Sequence, residues 1–147
     1  MSPHIKKSHN VSLLCYHIVC PVRYRRKVFS DGVSQSLKDI CLEFGPCHEI
    51  DFLEIGIDAD HVHFLIQTIP NINLSDLIKK IKSITGRYIL HKHKEVKTFL
   101  WGGKFWTSGY YVNTVGNANM SIITNYVKNQ GIPEYTQLHQ KQPTLFN

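Results

Sequence analysis

Along the chain the spacing of hydrophobic positions switches between a period of about two and one of about 3.6, and each switch marks an element. The run from Val11 to Cys20 is apolar and strand-like, and Pro21 ends it. A dense basic turn follows, Arg23-Tyr24-Arg25-Arg26-Lys27. Val33, Leu37, Ile40, Cys41 and Phe44 then fall on one helical face, with Asp31 as the expected cap and Gly45-Pro46 as the stop. Strand spacing returns from about His48 to Ile57. Asp58-Ala59-Asp60 makes a turn, and His61 to Ile69 reads as the next strand, closed by Pro70.

The clearest helix comes next. Asn73 caps it, and Leu74, Leu77, Ile78, Ile81, Ile84 and Tyr88 form its apolar stripe, with Lys79, Lys80, Lys82 and Arg87 opposite. A basic, His-containing loop leads to a last strand from Phe105 to Val115. Gly116-Asn117 then turns the chain into a short helix from about Asn119 to Gln130, ended by Gly131 and Pro133. The order β-α-β-β-α-β predicts an α+β fold of the ferredoxin-like or RNA-recognition-motif kind. Its antiparallel sheet carries two helices on one face and leaves the other free for a ligand or a partner, with the terminal helix added. One domain over residues 1–147 is expected, with its core at about 11–131 and a tail at 134–147.

Composition sharpens this picture in two ways. Hydrophobic residues make up 42% of the chain, enough for a buried core, while no apolar run reaches the roughly 18 residues of a membrane span. Seventeen Lys and Arg against eleven Asp and Glu leave a net charge of +6, which favours a polyanionic partner. Cys15, Cys20, Cys41 and Cys47 form no C-x-x-C pair and are expected as small core or near-core residues. With no signal-peptide pattern, the cytoplasm is the expected compartment.

The richest segment chemically is Asp60-His61-Val62-His63. Alternation puts His61 and His63 on one face of their strand, while Val62, Phe64 and Ile66 point into the core. Such a pair is either a preformed set of two metal ligands or two surface histidines, and spacing alone does not choose. His91-Lys92-His93 is a different case, since helical geometry would turn its imidazoles apart; a solvated pair is expected. On the terminal helix, Tyr126 and Gln130 are four residues apart and share an inward face with Ile123 and Val127. An inward amide needs a partner, for which a metal ion or a phosphate would serve. Composition does not choose Tyr126 over Tyr110 or Tyr111.

Taken in order, Tyr16-His17-Ile18-Val19, the basic turn Arg23 to Lys27, Asp60-His61-Val62-His63, Gly109-Tyr110-Tyr111-Val112 and Tyr126-Val127-Lys128-Asn129-Gln130 resemble the single-tyrosine HUH transposases of small insertion sequences. The resemblance runs from about Val11 to Gln130. It implies that His61 and His63 bind a divalent metal, that Gln130 completes the site and that Tyr126 is the nucleophile. It also implies homodimers in which the tyrosine helix of one subunit serves the His pair of the other, acting on single-stranded DNA with hairpin ends.

That assignment suits the residue types. A metal held by His61, His63 and Gln130 would draw charge from the scissile phosphate; magnesium or manganese is expected, and two imidazoles point to manganese or a tolerant site. The Tyr126 phenol, with an ordinary pKa of about 10, needs activation before it attacks. By resemblance the product is a 5′-phosphotyrosine and a free 3′-hydroxyl. Asp60 is read either as orienting the His pair or as an ordinary turn residue. Phosphate contacts are expected from Arg23, Arg25, Arg26, Lys27, Lys79, Lys82 and Arg87; Trp101, Phe105 and Trp106 are candidates for base stacking, with core packing expected for at least one of them. Two rival readings remain: a non-catalytic single-strand nucleic-acid-binding module, and a host-adopted relative that keeps only the nuclease step.

Overall fold

The structure is a computed structural model and describes residues 5–7, 10–12, 14–70, 72–115, 125, 127 and 128. Three strands open it: β1 (Ile5–Lys7) and β2 (Asn10–Ser12) form a small antiparallel pair, and β3 (Leu14–Pro21) enters the main sheet. The apolar run expected from Val11 onward is thus split between two sheets.

Helix α1 spans Asp31–Phe44. Ser30, not Asp31, is its cap: the Ser30 hydroxyl accepts from the Val33 amide at 3.3 Å, satisfying a donor the helix cannot. Asp31 instead sits in the first turn, where its charge meets the positive end of the helix dipole. Gly45 must be glycine on steric grounds, because a Cβ there would stand 2.8 Å from the Ile50 carbonyl oxygen and 2.9 Å from that of Cys41.

Strands β4 (Ile50–Ile57) and β5 (His61–Thr68) follow, then α2 (Leu74–Lys92), capped by the Asn73 side chain on the Asp76 amide. A single turn, α3 (Lys94–Lys97), leads toward the last strand, β6 (Tyr111–Val115). That strand is shorter than expected. Trp106 makes only an isolated bridge to Val22, and Thr107 donates to the Pro21 carbonyl, so residues 105–110 run beside the sheet without joining its ladder.

The main sheet has the order β4-β5-β3-β6, with every neighbouring pair antiparallel. This is the predicted β-α-β-β-α-β arrangement. One face packs Ile18, Cys20, Phe52, Val62, Phe64 and Ile66 against Val33, Leu37 and Cys41 of α1 and Leu77, Ile78, Ile81 and Ile89 of α2. Halfway along α2 the apolar stripe passes to Thr85 and Gly86, which receive Trp106: its indole N–H donates to the Thr85 hydroxyl at 2.9 Å. That pairing lets a bulky aromatic with a polar edge enter the core.

The opposite face of the sheet is not the bare platform that was expected. Cys15, His17, Val19, His63, Leu65 and Gln67 all point that way and are all buried, as is Val127. Apolar Val19 and Leu65 would carry a hydration cost if left open, so covering them is favourable.

Candidate metal centre and nucleic-acid interface

β5 lies inside the sheet between β4 and β3, so its side chains are fixed by ladders on both sides. His61 and His63 occupy alternate positions on it, and their ring centres are 5.0 Å apart with the planes inclined at 64°. Each has one ring nitrogen already engaged. Nδ1 of His61 bonds Oδ1 of Asp60 at 2.8 Å, and Nδ1 of His63 bonds Nε2 of His17 at 3.0 Å. Asp58 approaches His61 Nε2 only to 3.9 Å, too far for a hydrogen bond.

Asp60 is held in turn by Arg25, whose Nε donates to Oδ2 at 3.2 Å. Partial burial pushes the Asp60 carboxyl up, but hydrogen bonds from His61 and Arg25 and their charges outweigh it and hold the group below the usual carboxylate range. Arg25 was expected on DNA. Here it braces the turn beside the His pair, with its side chain still 59% exposed.

The basic turn is unusual in its backbone as well. Tyr24 and Arg25 both adopt positive φ, 60° and 52°, a region that costs a non-glycine residue free energy. The turn thereby sends Arg25 toward Asp60 and Arg23 the other way. The Arg23 guanidinium stands 4.9 Å over the Tyr24 ring, and Tyr24 meets Trp101 edge to face at 6.5 Å. Arg23 also lines an open cleft of about 650 Å³ with Lys82, Arg87 and Lys104, floored by Phe105 and Trp106. This cleft does not include His61 or His63; the basic turn stands between the two places.

Of the other basic residues, Arg26, Lys27 and Lys79 are exposed, and Lys27 lines a smaller pocket with Phe29 and Phe99. Of the candidate stacking aromatics, Phe105 and Trp106 belong to the core, whereas Trp101 is 73% exposed. The expectation of a solvated His91–His93 pair is half right. His91 is exposed, but His93 bonds the Ser36 hydroxyl of α1 at 2.7 Å and the Glu95 carboxylate at 3.3 Å, because α2 continues to Lys92 and brings it against α1.

Tyr126 and Gln130 lie outside the described residues, as does the Gly116-Asn117 turn. Among the described residues no cluster of three or more His, Cys, Asp or Glu side chains is arranged to hold a metal. The donor chemistry of the His pair fits one nevertheless. Where Nδ1 carries the proton, Nε2 keeps the lone pair; His61 Nδ1 faces the Asp60 carboxylate, and His63 Nδ1 faces a ring nitrogen of His17 that can accept.

Comparison with known proteins decides the family. The profile described as "Transposase IS200 like" matches residues 10–130. The chain belongs to that family of transposases. It is 29% identical over 115 residues to the ISDra2 transposase TnpA of Deinococcus radiodurans, covering 78% of this chain and 82% of that protein. To the transposase for insertion sequence element IS200 of Salmonella typhimurium it is 30% identical over 115 residues, 78% of this chain and 75% of the other. A crystal structure described as a transposase from Deinococcus radiodurans superposes with a TM-score of 0.70 at 28% identity, covering 86% of this chain and 98% of that one. The fold also resembles that of the REP-associated tyrosine transposase bound to a REP hairpin, with a TM-score of 0.57 at 12% identity over 86% of this chain and 70% of that one.

An IS200-like transposase acts on DNA by cleavage and strand transfer, and the charge of this one agrees with a nucleic-acid partner. Among the described residues no helix is long and apolar enough to cross a membrane. Sequence reasoning missed one residue of the candidate centre, His17. Its place beside His63 depends on the pairing of β3 with β5, in which His17 faces Leu65 and reaches His63 on the diagonal. No spacing within the sequence carries that register.

Proposed function

We propose that this transposase cleaves and rejoins single-stranded DNA at hairpin-bearing ends, through a covalent 5′-phosphotyrosine on Tyr126 formed at a divalent-metal site of His61, His63 and Gln130. The observation that carries the reading is the His pair itself. Two imidazoles sit on alternate positions of an interior strand, each with Nδ1 engaged by a neighbour. Surface histidines left over from a half-exposed strand would have no need of such bracing. Manganese or magnesium would supply charge withdrawal from a non-bridging oxygen of the scissile phosphate.

The chain's own groups divide the remaining work. The Tyr126 oxygen attacks phosphorus, losing its phenolic proton. The bond to the departing 3′-oxygen breaks, and that oxygen takes up a proton to leave as a 3′-hydroxyl. The phosphodiester energy is kept in the protein–DNA bond, so rejoining needs no nucleotide cofactor. Arg23, Lys82, Arg87 and Lys104 around the open cleft offer phosphate contacts, and exposed Tyr24 and Trp101 beside them offer ring faces to unpaired bases. The related hairpin-bound transposase supports a hairpin ligand here. We further propose that the protein works as a homodimer, with the Tyr126 helix of one subunit serving the His pair of its partner.

The test is adduct formation. The full chain, mixed with hairpin-bearing single-stranded DNA and Mn²⁺, should give a covalent protein–DNA species that survives denaturation and disappears with a chelator. Tyr126→Phe should abolish it. An undiminished adduct from Tyr126→Phe would overturn the assignment and shift attention to Tyr110 and Tyr111.

A further inference from the structure

His17 is buried in the middle of β3, only 1% exposed, which is an uncommon place for an imidazole. Its Nε2 stands 3.0 Å from Nδ1 of His63, and the two ring planes differ by only 13° with centres 5.2 Å apart. Face-to-face rings would hold their atoms farther apart than 3.0 Å. The pair therefore lies edge to edge and nearly coplanar, the geometry of a linear N–H···N hydrogen bond. His63 is 2% exposed, so this bond is made away from water, where its direction is costly to ignore.

One proton lies between the two nitrogens, and which ring owns it decides what His63 can do. If His17 donates from Nε2, neutral His63 carries its own proton on Nε2 and has no lone pair there. If His63 donates from Nδ1, its Nε2 keeps the lone pair that metal coordination uses. Asp60 arranges the same outcome for His61, as an acceptor facing Nδ1. The two braces are chemically unlike, one a half-buried carboxylate held by Arg25 and the other a buried imidazole.

We infer that His17 is a positioning residue for the metal site, accepting the Nδ1 proton of His63 and fixing the ring so that Nε2 presents a lone pair. This rests on reading His61 and His63 as metal ligands. It does not make His17 a ligand: with Nε2 accepting from His63, a neutral ring carries its own proton on Nδ1, so neither nitrogen offers a metal a lone pair.

The experiment has two arms on the full chain. In the first, the unaltered protein is labelled with ¹⁵N-histidine, and two-bond proton–nitrogen correlations report the tautomer of His63 with and without Zn²⁺ as a diamagnetic probe. The expected result is a proton on Nδ1 in the Zn²⁺-bound protein, with the metal on Nε2; coordination through Nδ1 overturns the inference. In the second, Mn²⁺ affinity is measured by electron paramagnetic resonance for His17→Phe, His17→Gln and His61→Ala. His17→Phe keeps a buried ring but no acceptor, and should weaken binding about 10- to 100-fold. His17→Gln can still accept through its amide oxygen and should recover most of that loss. Circular dichroism and retained hairpin binding verify the fold of each variant. Parent-like affinity in His17→Phe while His61→Ala loses the metal overturns the role of His17 alone. Parent-like affinity in both overturns the metal reading and this inference with it.

Discussion

Asp60 and His61 are sequence neighbours whose side chains bond each other, Oδ1 to Nδ1 at 2.8 Å, across the turn that starts β5. Side chains at adjacent strand positions normally diverge to opposite faces. Here Asp60 precedes the strand, and its backbone carbonyl accepts from the Val22 amide, which leaves its carboxylate free to swing toward both His61 and Arg25. An acceptor bound to Nδ1 fixes the imidazole tautomer, and a carboxylate also raises the basicity of the other nitrogen.

Removing that acceptor gives the first prediction. Asp60→Ala should weaken Mn²⁺ binding about 10- to 100-fold, and Asp60→Asn, which still accepts but carries no charge, should fall between. Titration followed by electron paramagnetic resonance reads this directly. An Asp60→Ala protein with unchanged affinity would show that Asp60 is an ordinary turn carboxylate.

How much of this was legible beforehand differs between fold and site. Both long helices were readable from their stripes because each buries one face against the same sheet. The order of elements along the chain followed from the alternation of periods. What failed was local chemistry that depends on tertiary partners. Ser30 displaced Asp31 as cap, Trp106 left the last strand to reach Thr85, and His93 found Ser36 across α1. Cys47, expected near the core, is exposed because it falls in the short turn after Gly45. At the candidate site, the shared strand face of His61 and His63 was legible from their spacing. His17 was not, because its contact exists only through strand register.

The cysteines give a second prediction with a sign. Burial drives the Cys20 thiol up to about 12 and raises Cys41 and Cys15 as well. The native protein at pH 8 should therefore react rapidly with a thiol reagent only at Cys47, and at all four cysteines once denatured. Because the unfolded thiols ionise near their ordinary pKa of about 8.5, the unfolded state gains on the folded one as pH rises above that value. Stability should be insensitive to these groups below pH 8 and should decline through the range up to about 12. Denaturant midpoints at pH 7, 9 and 10 would check it, and a flat profile would contradict the burial of Cys20.

Trp101 supplies a third. It is exposed, edge to face with Tyr24, and outside the core that holds Phe105 and Trp106. Trp101→Ala should leave the melting temperature nearly unchanged. It should weaken binding of hairpins with unpaired flanks by roughly 1–3 kcal/mol, the usual worth of one base–aromatic stack. Fluorescence anisotropy against a fully paired hairpin separates the effects, since paired bases offer no free face. Equal losses on both DNAs would mean that Trp101 only supports the Arg23 turn.

The last prediction concerns assembly. The His pair belongs to an interior strand of the sheet, while Tyr126 belongs to the sequence beyond β6, after Gly116-Asn117. A nucleophile carried on a separate segment can serve its own sheet or that of a second copy, and exchange of such segments is a low-cost route to a dimer. If the sites are shared between subunits, a His63→Ala protein mixed with a Tyr126→Phe protein should regain cleavage that neither has alone. In the mixed dimer, one site then combines intact His61 and His63 from one subunit with intact Tyr126 from the other. At random pairing about half of the dimers are mixed and each holds one good site of two, so activity should approach a quarter of the parent's. Were every site built within one subunit, both sites of the mixed dimer would be damaged. Cleavage no greater than the background of the separate variants, with mixed dimers demonstrated by differential tagging, would therefore reject the shared site.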